Sequence, residues 1–599
     1  MPESMLNRPS AAPDSWLEVI DSDSPLLLIA PHGGRAEPRT RALLNPKVND
    51  LHTADITRTL ANRLGASALI NVGMDRNRLD CNRLSQIIEN APWLLEMIAE
   101  RLAEVVARHG RATVLLIHGW NIIEPRIDLG LGLRNIGGEL CPPGSACVSA
   151  SDDFINGPLT DLAERLRQMG IKPSYGMRYP GGGVQNLLQA FSSRHRESPV
   201  AALRTISEIS IGGVVDAAQL ELSVALRMPG ELRARCEDAI AAAFAPNRST
   251  RRPPRKPIVV NRAPRPRVAK AEIGAAATVA APGRVGIEFF DPNTRIGAMA
   301  SFDVGGAGMG ARIMLLFDNC RAALFTAEGR PTRSESSVTH GPLSLTREGD
   351  SIVLSFRGPA VIVPDSTAYL SIERALASGR LDGAMEVKVR FEIESGGADA
   401  DFDFDRLLSS SADASQVPLS SAAFGRIAGK VCVDGNAHEL VGYARAGISF
   451  TGLGPQRFSV RRMLWACFEG SGAPHALEAR SVATDDAQPA ESARILSADG
   501  WSPCELRDLS IHTASVEEPP KTIFASMAHP DGSIFELEGR AECFIPLSRP
   551  GPEQSRIYTT LGFASFESGT HRGAGMFEYS RRAESVMTGA DDNDDSDSD

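Results

Sequence analysis

The chain has 599 residues, of which 42% are apolar and 23% charged, and a formal net charge of −11. At roughly 100 to 200 residues per domain it is too long for one core, so two or more domains are expected. Its acidic balance argues against a general nucleic-acid binder, because phosphate binding is driven by Lys and Arg, and no apolar run approaches the roughly 20 residues that cross a bilayer.

The N-terminus, MPESMLNRPSAAPDSW, has no apolar stretch behind a basic start, so residues 1–24 read as an extension without a secretory signal. From Leu26 to about Ala245, apolar β-type runs (LLLIA, ALINVG, TVLLIHG) alternate with helical patterns such as WLLEMIAERLAEVVARH. Strands separated by long helices imply a mostly parallel sheet covered on both faces, a three-layer α/β domain over residues 25–246. Residues 247–283 hold nine Lys or Arg, frequent prolines and almost no acid. They read as an extended spacer, or as a basic arm for an anionic partner such as the chain's own tail, DDNDDSDSD. Residues 284–584 change texture to short alternating runs with hairpin signals such as VDGN and HPDGS, an all-β region long enough for two barrel-like units. Residues 585–599 form an acidic tail expected to be disordered. Nine cysteines from Cys81 to Cys543, with no CxxC pair, read as buried, reduced thiols of a cytoplasmic protein.

Two of the α/β strands end alike. LLLIA runs into PHGG, placing His32 at a strand end with Glu37 five residues on, and TVLLIHGW ends at His118 and Gly119. Ligands of open α/β sheets bind outside the carboxyl ends of the strands, and glycines there let a backbone approach a ligand or adopt positive φ. Two histidines and a carboxylate form the ligand type of a catalytic zinc with an open fourth position.

Further motifs follow in order. Asp55 and Thr57 lie in DLHTADITRTLANRL, the segment MDRNRLDCNR carries Arg78, Asp80, Asn82 and Arg83, and AAQLELSVALRM spans residues 217–228. With the PHGG strand end, a D-x-x-T helix start, the R-x-D-x-N-R segment and the strand-end His118, residues 25 to 230 resemble the N-formylglutamate amidohydrolase family. The PHGGRAE spelling is similar to zinc-dependent phage hydrolases that cut poly-γ-glutamate, and both groups belong to the wider zinc carboxypeptidase-like fold. The resemblance implies Zn²⁺ held by His32, Glu37 and His118, with Arg78, Asp80, Asn82 and Arg83 where relatives hold a substrate carboxylate. Arg suits that task through its planar fork. Glu221 falls where relatives carry a glutamate near the metal; on a strand it shares a face with Gln219 and Ser223, as general base or as the salt-bridge partner of Arg227 or another arginine. The stretch MRYPGGGVQNLLQAF, residues 177–191, with Gly182 in the middle of its three glycines, is a candidate pocket wall. One departure is Leu116, where relatives often carry an aspartate two residues before the second histidine.

The β half is similar, more faintly, to the lipocalin-like domains of carotenoid hydratase-type proteins, through GKVCVDGNAHELVGYARAGIS and HRGAGMFEYSRR. In those enzymes an Arg-Asp-His run follows the first motif, whereas here Arg445 precedes Ala446 and Gly447, so a module binding an apolar small molecule is expected rather than hydration chemistry. The function implied is a zinc-dependent amidohydrolase acting on an N-acyl amino acid or related small carboxylate. The alternative is a catalytically silent hydrolase-like scaffold whose β region binds an apolar ligand.

Overall fold

A computed structural model describes residues 15–36, 46–136, 139–144, 147–245, 258–261, 283–303, 309–398, 420–450, 458–469, 475–484, 489–498, 500–513, 515, 517–550 and 555–583. Glu37, most of the basic segment and the acidic tail lie outside the described residues. The described residues fall into two compact units, one α/β and one all-β.

In chain order the α/β unit contains β1 (Leu17–Ile20), β2 (Leu26–Ala30), α1 (Thr53–Leu64), β3 (Ser67–Asn71), α2 (Leu84–Asn90), α3 (Pro92–His109), β4 (Ala112–Trp120) and β5 (Arg126–Gly130). A small ribbon of β6 (Arg134–Ile136) and β7 (Glu139–Cys141) follows, then α4 (Asp152–Phe154), α5 (Thr160–Gln168), β8 (Lys172–Tyr175), α6 (Ala201–Ile211), β9 (Val215–Ser223), α7 (Val224–Arg227) and α8 (Glu231–Phe244). Seven strands form one sheet in the order β1-β3-β2-β4-β9-β5-β8. The central pairs β3–β2, β2–β4 and β4–β9 are parallel, as is β5–β8, while β1–β3 and β5–β9 are antiparallel.

Alternation of side chains across each strand explains the layering. Leu26, Leu28 and Ala30 pack in one core with Leu60 of α1 and Ile240 of α8, whereas Leu27 and Ile29 pack in the other with Ile98 of α3 and Ile206 of α6. A strand buried on both faces therefore reads as an unbroken apolar run, which is why LLLIA shows no polar alternation. Gly65 and Gly110, at φ 57° and 72°, end α1 and α3 in the left-handed conformation that glycine adopts without a Cβ clash.

Two expected boundaries shift. The extension assigned to residues 1–24 contains β1, which pairs with β3 from Leu17↔Asn71 to Ile20↔Ala68, and Trp16 packs against Trp93 at 5.5 Å between ring centroids. Four residues with alternating burial are too short a run to stand out in sequence. Within the spacer assigned to residues 247–283, residues 258–261 are held to the α/β unit: the Ile258 N–H donates to Asn156 Oδ1 (2.6 Å) and the Asn261 N–H to the Leu140 carbonyl (2.8 Å).

The all-β unit begins with β10 (Gly283–Asp291), β11 (Ile296–Asp303), β12 (Met309–Leu316) and β13 (Ala322–Glu328). Short strands β14 (Thr332–Arg333), β15 (Ser337–His340) and β16 (Leu343–Glu348) precede β17 (Ser351–Val363), α9 (Ile372–Ser378), β18 (Arg380–Ala398), β19 (Ser420–Val433) and β20 (Asn436–Phe450). Pairing of β13 with β17 closes β10–β13 and β17–β20 into a ring, with β16, β15 and β14 continuing outward from β17. Strands β21 (Phe458–Phe468), β22 (Ala476–Thr484), β23 (Ala490–Ser497), β24 (Gly500–His512), β25 (Thr522–Ala528), β26 (Ile534–Pro550), β27 (Arg556–Ser568) and β28 (His571–Ala583) form a second closed barrel in sequential order. The VDGN signal is the β19–β20 hairpin, with Asp434 and Gly435 both at positive φ as a type I′ turn requires.

Side chains fill both rings. Phe289, Phe302, Phe325, Phe356 and Phe391 are buried in the first, and Leu464, Leu477, Met527, Phe566 and Phe577 pack together in the second. A closed barrel is consistent with the apolar-ligand role expected of this region. The two rings join through an apolar layer in which Phe290 stacks on Phe563 at 5.5 Å and 11° between ring planes. A Cβ on Gly297 would lie 2.0 Å from the Phe563 ring.

Candidate metal centre

His32 follows the end of β2, His118 lies near the end of β4, and Glu221 lies near the end of β9, so three adjacent parallel strands deliver their polar residues to one edge of the sheet. His118 and Glu221 are direct neighbours in register. The glycines of PHGG allow a close approach of two backbone segments. A Cβ on Gly33 would lie 2.5 Å from the Asn71 carbonyl oxygen and one on Gly34 1.9 Å from that of Met74, so the segment carrying His32 passes directly against the chain leaving β3.

Asp50 completes the group. Its N–H donates to the His32 carbonyl (2.9 Å), and its side-chain Oδ2 lies 3.2 Å from His32 Nδ1, 3.3 Å from His118 Nδ1 and 2.9 Å from the Gly119 N–H. The loop bearing Asp50 is fastened to the segment after β3: Asn49 Nδ2 donates to Asp75 Oδ1, the Arg76 N–H to Asn49 Oδ1 and Arg76 Nη1 to the Val48 carbonyl. The other side of the His32 ring is held by Asp80, whose Oδ1 is 2.6 Å from Nε2. Arg76 lies 3.6 Å from both Asp50 and Asp80, and Lys47 is 3.7 Å from Asp80.

Burial and charge set the protonation states. Burial, with the charge of His32 beside it, pulls His118 down to about 4, so its ring is neutral near pH 7. Burial alone would raise Asp50, but the charge of His32 and hydrogen bonds from both rings hold its carboxyl well below the usual range. Asp80 is held low in the same way, against burial, by His32 and Arg76. Burial and Arg76 would lower His32, and the two carboxylates outweigh them to raise it. Glu221 moves oppositely: burial, then the neighbouring Asp50 charge, push it well above the carboxylate range, while Gln219 Nε2 donates to its Oε1 at 2.5 Å.

His32, Asp50 and His118 offer one ligand atom each within 4.8 Å of one another. The 3.2 and 3.3 Å separations from Asp50 Oδ2 to the two Nδ1 atoms are hydrogen-bonding distances that are also close to the edge, about 3.3 Å, of a tetrahedron with metal–ligand bonds of about 2.0 to 2.1 Å. The Asp80–His32 contact is the outer carboxylate that commonly orients a ligating imidazole. The donor set fits a zinc-type dication.

Of the residues singled out in sequence, His32, His118, Asp80 and Glu221 share this region, and Glu37 lies outside the described residues. The Asn82 N–H donates to Asp80 Oδ1, and Arg83 sits at the start of α2, paired with Asn186. Backbone bonds from Leu84 N to Gln185 O and from Leu187 N to Asn82 O tie this segment to the one following Gly182. Arg78 is exposed. Asp55 is turned toward Arg58 and His52, and Thr57 Oγ1 donates to the Thr53 carbonyl, so neither joins the centre. The D-x-x-T spacing that meets it is Asp50 to Thr53, one helical turn earlier. Arg227 is not the partner of Glu221: its guanidinium donates to the carbonyls of Leu51 and Trp120 and to Asn121 Oδ1, and occupies the space a Cβ on Gly119 would take. Asp50 and Arg76 were missed because they come from loops without periodicity; the available signal was an acid at the very start of a helix and an arginine four residues before Asp80.

No protein-family description and no curated protein matches the chain. Among solved structures, a protein assigned as AttH from Nitrosomonas europaea is 11% identical over 51% of this chain and 93% of its own, with a TM-score of 0.32. CghA with Sch210972 is 9% identical over 51% and 90%, with a TM-score of 0.31. Kievitone hydratase from Nectria haematococca is 10% identical over 51% and 90%, with a TM-score of 0.30. At such scores the fold rests on the chain's own strand pairing and the function on its own side chains.

Proposed function

We propose that the α/β unit is a zinc-dependent hydrolase of linear amides, acting on an N-acyl amino acid of formyl or γ-glutamyl type or a related small carboxylate. The observation that carries this reading is the convergence of two imidazoles on one oxygen of Asp50 at tetrahedral-edge spacing. A dication bound there would polarise the amide carbonyl and acidify a water at its open position. Asp80 keeps His32 in a fixed orientation, and Arg76 balances the two aspartates without entering the ligand set. Glu221, one strand from His118 and with its proton affinity raised by burial and then by Asp50, accepts a proton from the attacking water and delivers it to the departing amine. Arg83 is the group assigned to the substrate carboxylate, in line with the resemblance of its segment.

Metal analysis with a hydrolysis screen tests the reading. Expected are about one zinc per chain, turnover of N-formyl- or γ-glutamyl-amino acids that chelation abolishes, and loss of both metal and turnover in His118→Ala. A chain that takes up no dication when zinc is supplied defeats it.

A further inference from the structure

One buried carboxylate beside the centre takes no part in metal binding or proton transfer. Asp128 of β5 is fully buried. It is opposite Glu221 of β9, which is in turn opposite His118 of β4, so the three residues form one row across neighbouring strands. Residues directly opposite one another share a face of the sheet. Both oxygens of Asp128 are turned to β8 and the segment after it. Oδ1 accepts the Ser174 hydroxyl (2.7 Å) and the Met177 N–H (3.1 Å), and Oδ2 accepts the N–H groups of Arg178 and Tyr179 (both 2.8 Å). Three consecutive peptide donors on one carboxylate fix the path of residues 177–179. No cation pairs with Asp128 among the described residues, so its charge is met by these donors alone.

The path so fixed lies against the strands that carry the centre. Gly130 is two residues beyond Asp128 on the same face of β5, opposite Gln219. A Cβ on Gly130 would lie 2.6 Å from the Tyr179 carbonyl oxygen and 3.3 Å from the Cβ of Gln219, the residue that donates to Glu221. The Tyr179 ring packs edge-on against Trp120, two residues beyond His118 on β4, at 5.8 Å between centroids. Further along, the Gly181 carbonyl accepts from Gln189 Nε2 (3.0 Å), the Gln185 carbonyl accepts the Leu84 N–H (2.7 Å), and the backbone of Asn186 pairs with that of Arg83. One stretch of chain, residues 176–186, therefore runs from the row of Glu221 to the segment that carries Arg83.

We propose that residues 176–186 form the substrate-binding wall of the hydrolase and that Asp128 is the residue that positions this wall, a role that rests on the amidohydrolase reading. A substrate whose amide lies at Glu221 and whose carboxylate lies at Arg83 extends along this stretch. Asp128 acts through the peptide groups of residues 177–179 and not on the reacting atoms, so its removal weakens substrate binding more than chemistry.

The full-length chain and its Asp128→Asn variant are compared by zinc content, by kcat and KM for N-formylglutamate and γ-glutamylglutamate, and by hydrogen exchange of the peptide amides of residues 177–179. Asparagine keeps the shape but turns an NH2 group toward two of the four donors. Exchange at residues 177–179 should quicken about 10-fold or more and KM should rise by a similar factor, the scale of one charge-assisted hydrogen bond, with zinc content parental and kcat little changed. Gly130→Ala displaces the same segment sterically, keeps the carboxylate and should raise KM in the same way, so it carries the test if Asp128→Asn does not fold. Faster exchange with a parental KM means that the segment does not meet the substrate, parental exchange means that Asp128 does not hold it, and loss of zinc means that the effect runs through the metal centre. With an active parent, each of these overturns the proposal and leaves the amidohydrolase reading standing. A parent that takes up no zinc and hydrolyses neither substrate defeats that reading, and this role with it.

Discussion

The edge of the α/β sheet and the seam where the two β rings pack both withdraw charged groups from water, but they balance the charge differently. At the sheet edge, two ring nitrogens and a carboxylate oxygen point at one another. In the seam, acids and guanidinium groups answer one another: Glu478 pairs with Arg445 and Arg494, and Glu288 with Arg445. Electron-pair donors brought together call for a cation, whereas carboxylates and guanidinium groups brought together balance one another. The chain's overall charge of −11 predicts neither, since both sites are set by local partners.

The comparison is broken most directly at Glu221. Glu221→Gln should retain zinc yet lose about 10²- to 10⁴-fold in kcat, the span of a positioned acid or base. Parental turnover in a metal-loaded variant would return Glu221 to a structural role.

In the seam, Glu478 and Glu288 should respond to pH with opposite signs. Glu478 is held below its ordinary value because Arg445 and Arg494 outweigh burial. Its contribution to stability is therefore complete above the unfolded value of about 4.3 and is lost as pH falls through the folded one. Burial holds Glu288 above its ordinary value, so the folded chain keeps an extra proton between the two values and stability falls as pH rises across that window. Glu478→Gln should destabilise the β unit by about 3 to 5 kcal/mol at pH 7, as breaking a buried pair does. Glu288→Gln should instead leave it as stable or more so at pH 7, and less so relative to the parent near pH 4. Urea unfolding at the two pH values compares them; equal responses would mean that the two acids sit in equivalent surroundings.

Smaller effects sharpen the first site. Asp80→Asn preserves shape but removes the anion behind His32, so zinc affinity should fall about 10- to 100-fold. A much larger loss would make Asp80 itself a ligand. Gly34→Ala should cost about 1 to 3 kcal/mol of stability, the range for overpacking, because its Cβ meets the Met74 carbonyl. An unaffected unfolding midpoint would show that the His32 loop is looser than this contact implies.

The layered α/β arrangement and the tandem β rings were legible because periodicity is local: strands such as LLLIA are unbroken apolar runs, and the barrel strands alternate. His32, His118 and Glu221 were legible because each lies at or beside the carboxyl end of a strand, where a polar residue interrupts an apolar pattern. Asp50 and Arg76 were not, because the hydrogen bonds that place them join two loops 26 to 28 residues apart. The seam's ion pairs were invisible for a similar reason: Arg445 and Glu478 lie in separate strands 33 residues apart and meet only when the rings pack.

By itself, the sequence determined which segments become strands and helices, where the chain changes from α/β to β texture, and which histidines end strands, since these follow from the order of apolar and polar residues over a few positions. Tertiary structure alone decided that Asp50 joins His32 and His118, that Arg227 supports loops instead of pairing with Glu221, and that Glu478 is shared by Arg445 and Arg494. Each of those outcomes turns on distances between groups far apart in the chain, and both proton affinity and the cost of an unmatched charge depend on such distances and on the exclusion of water.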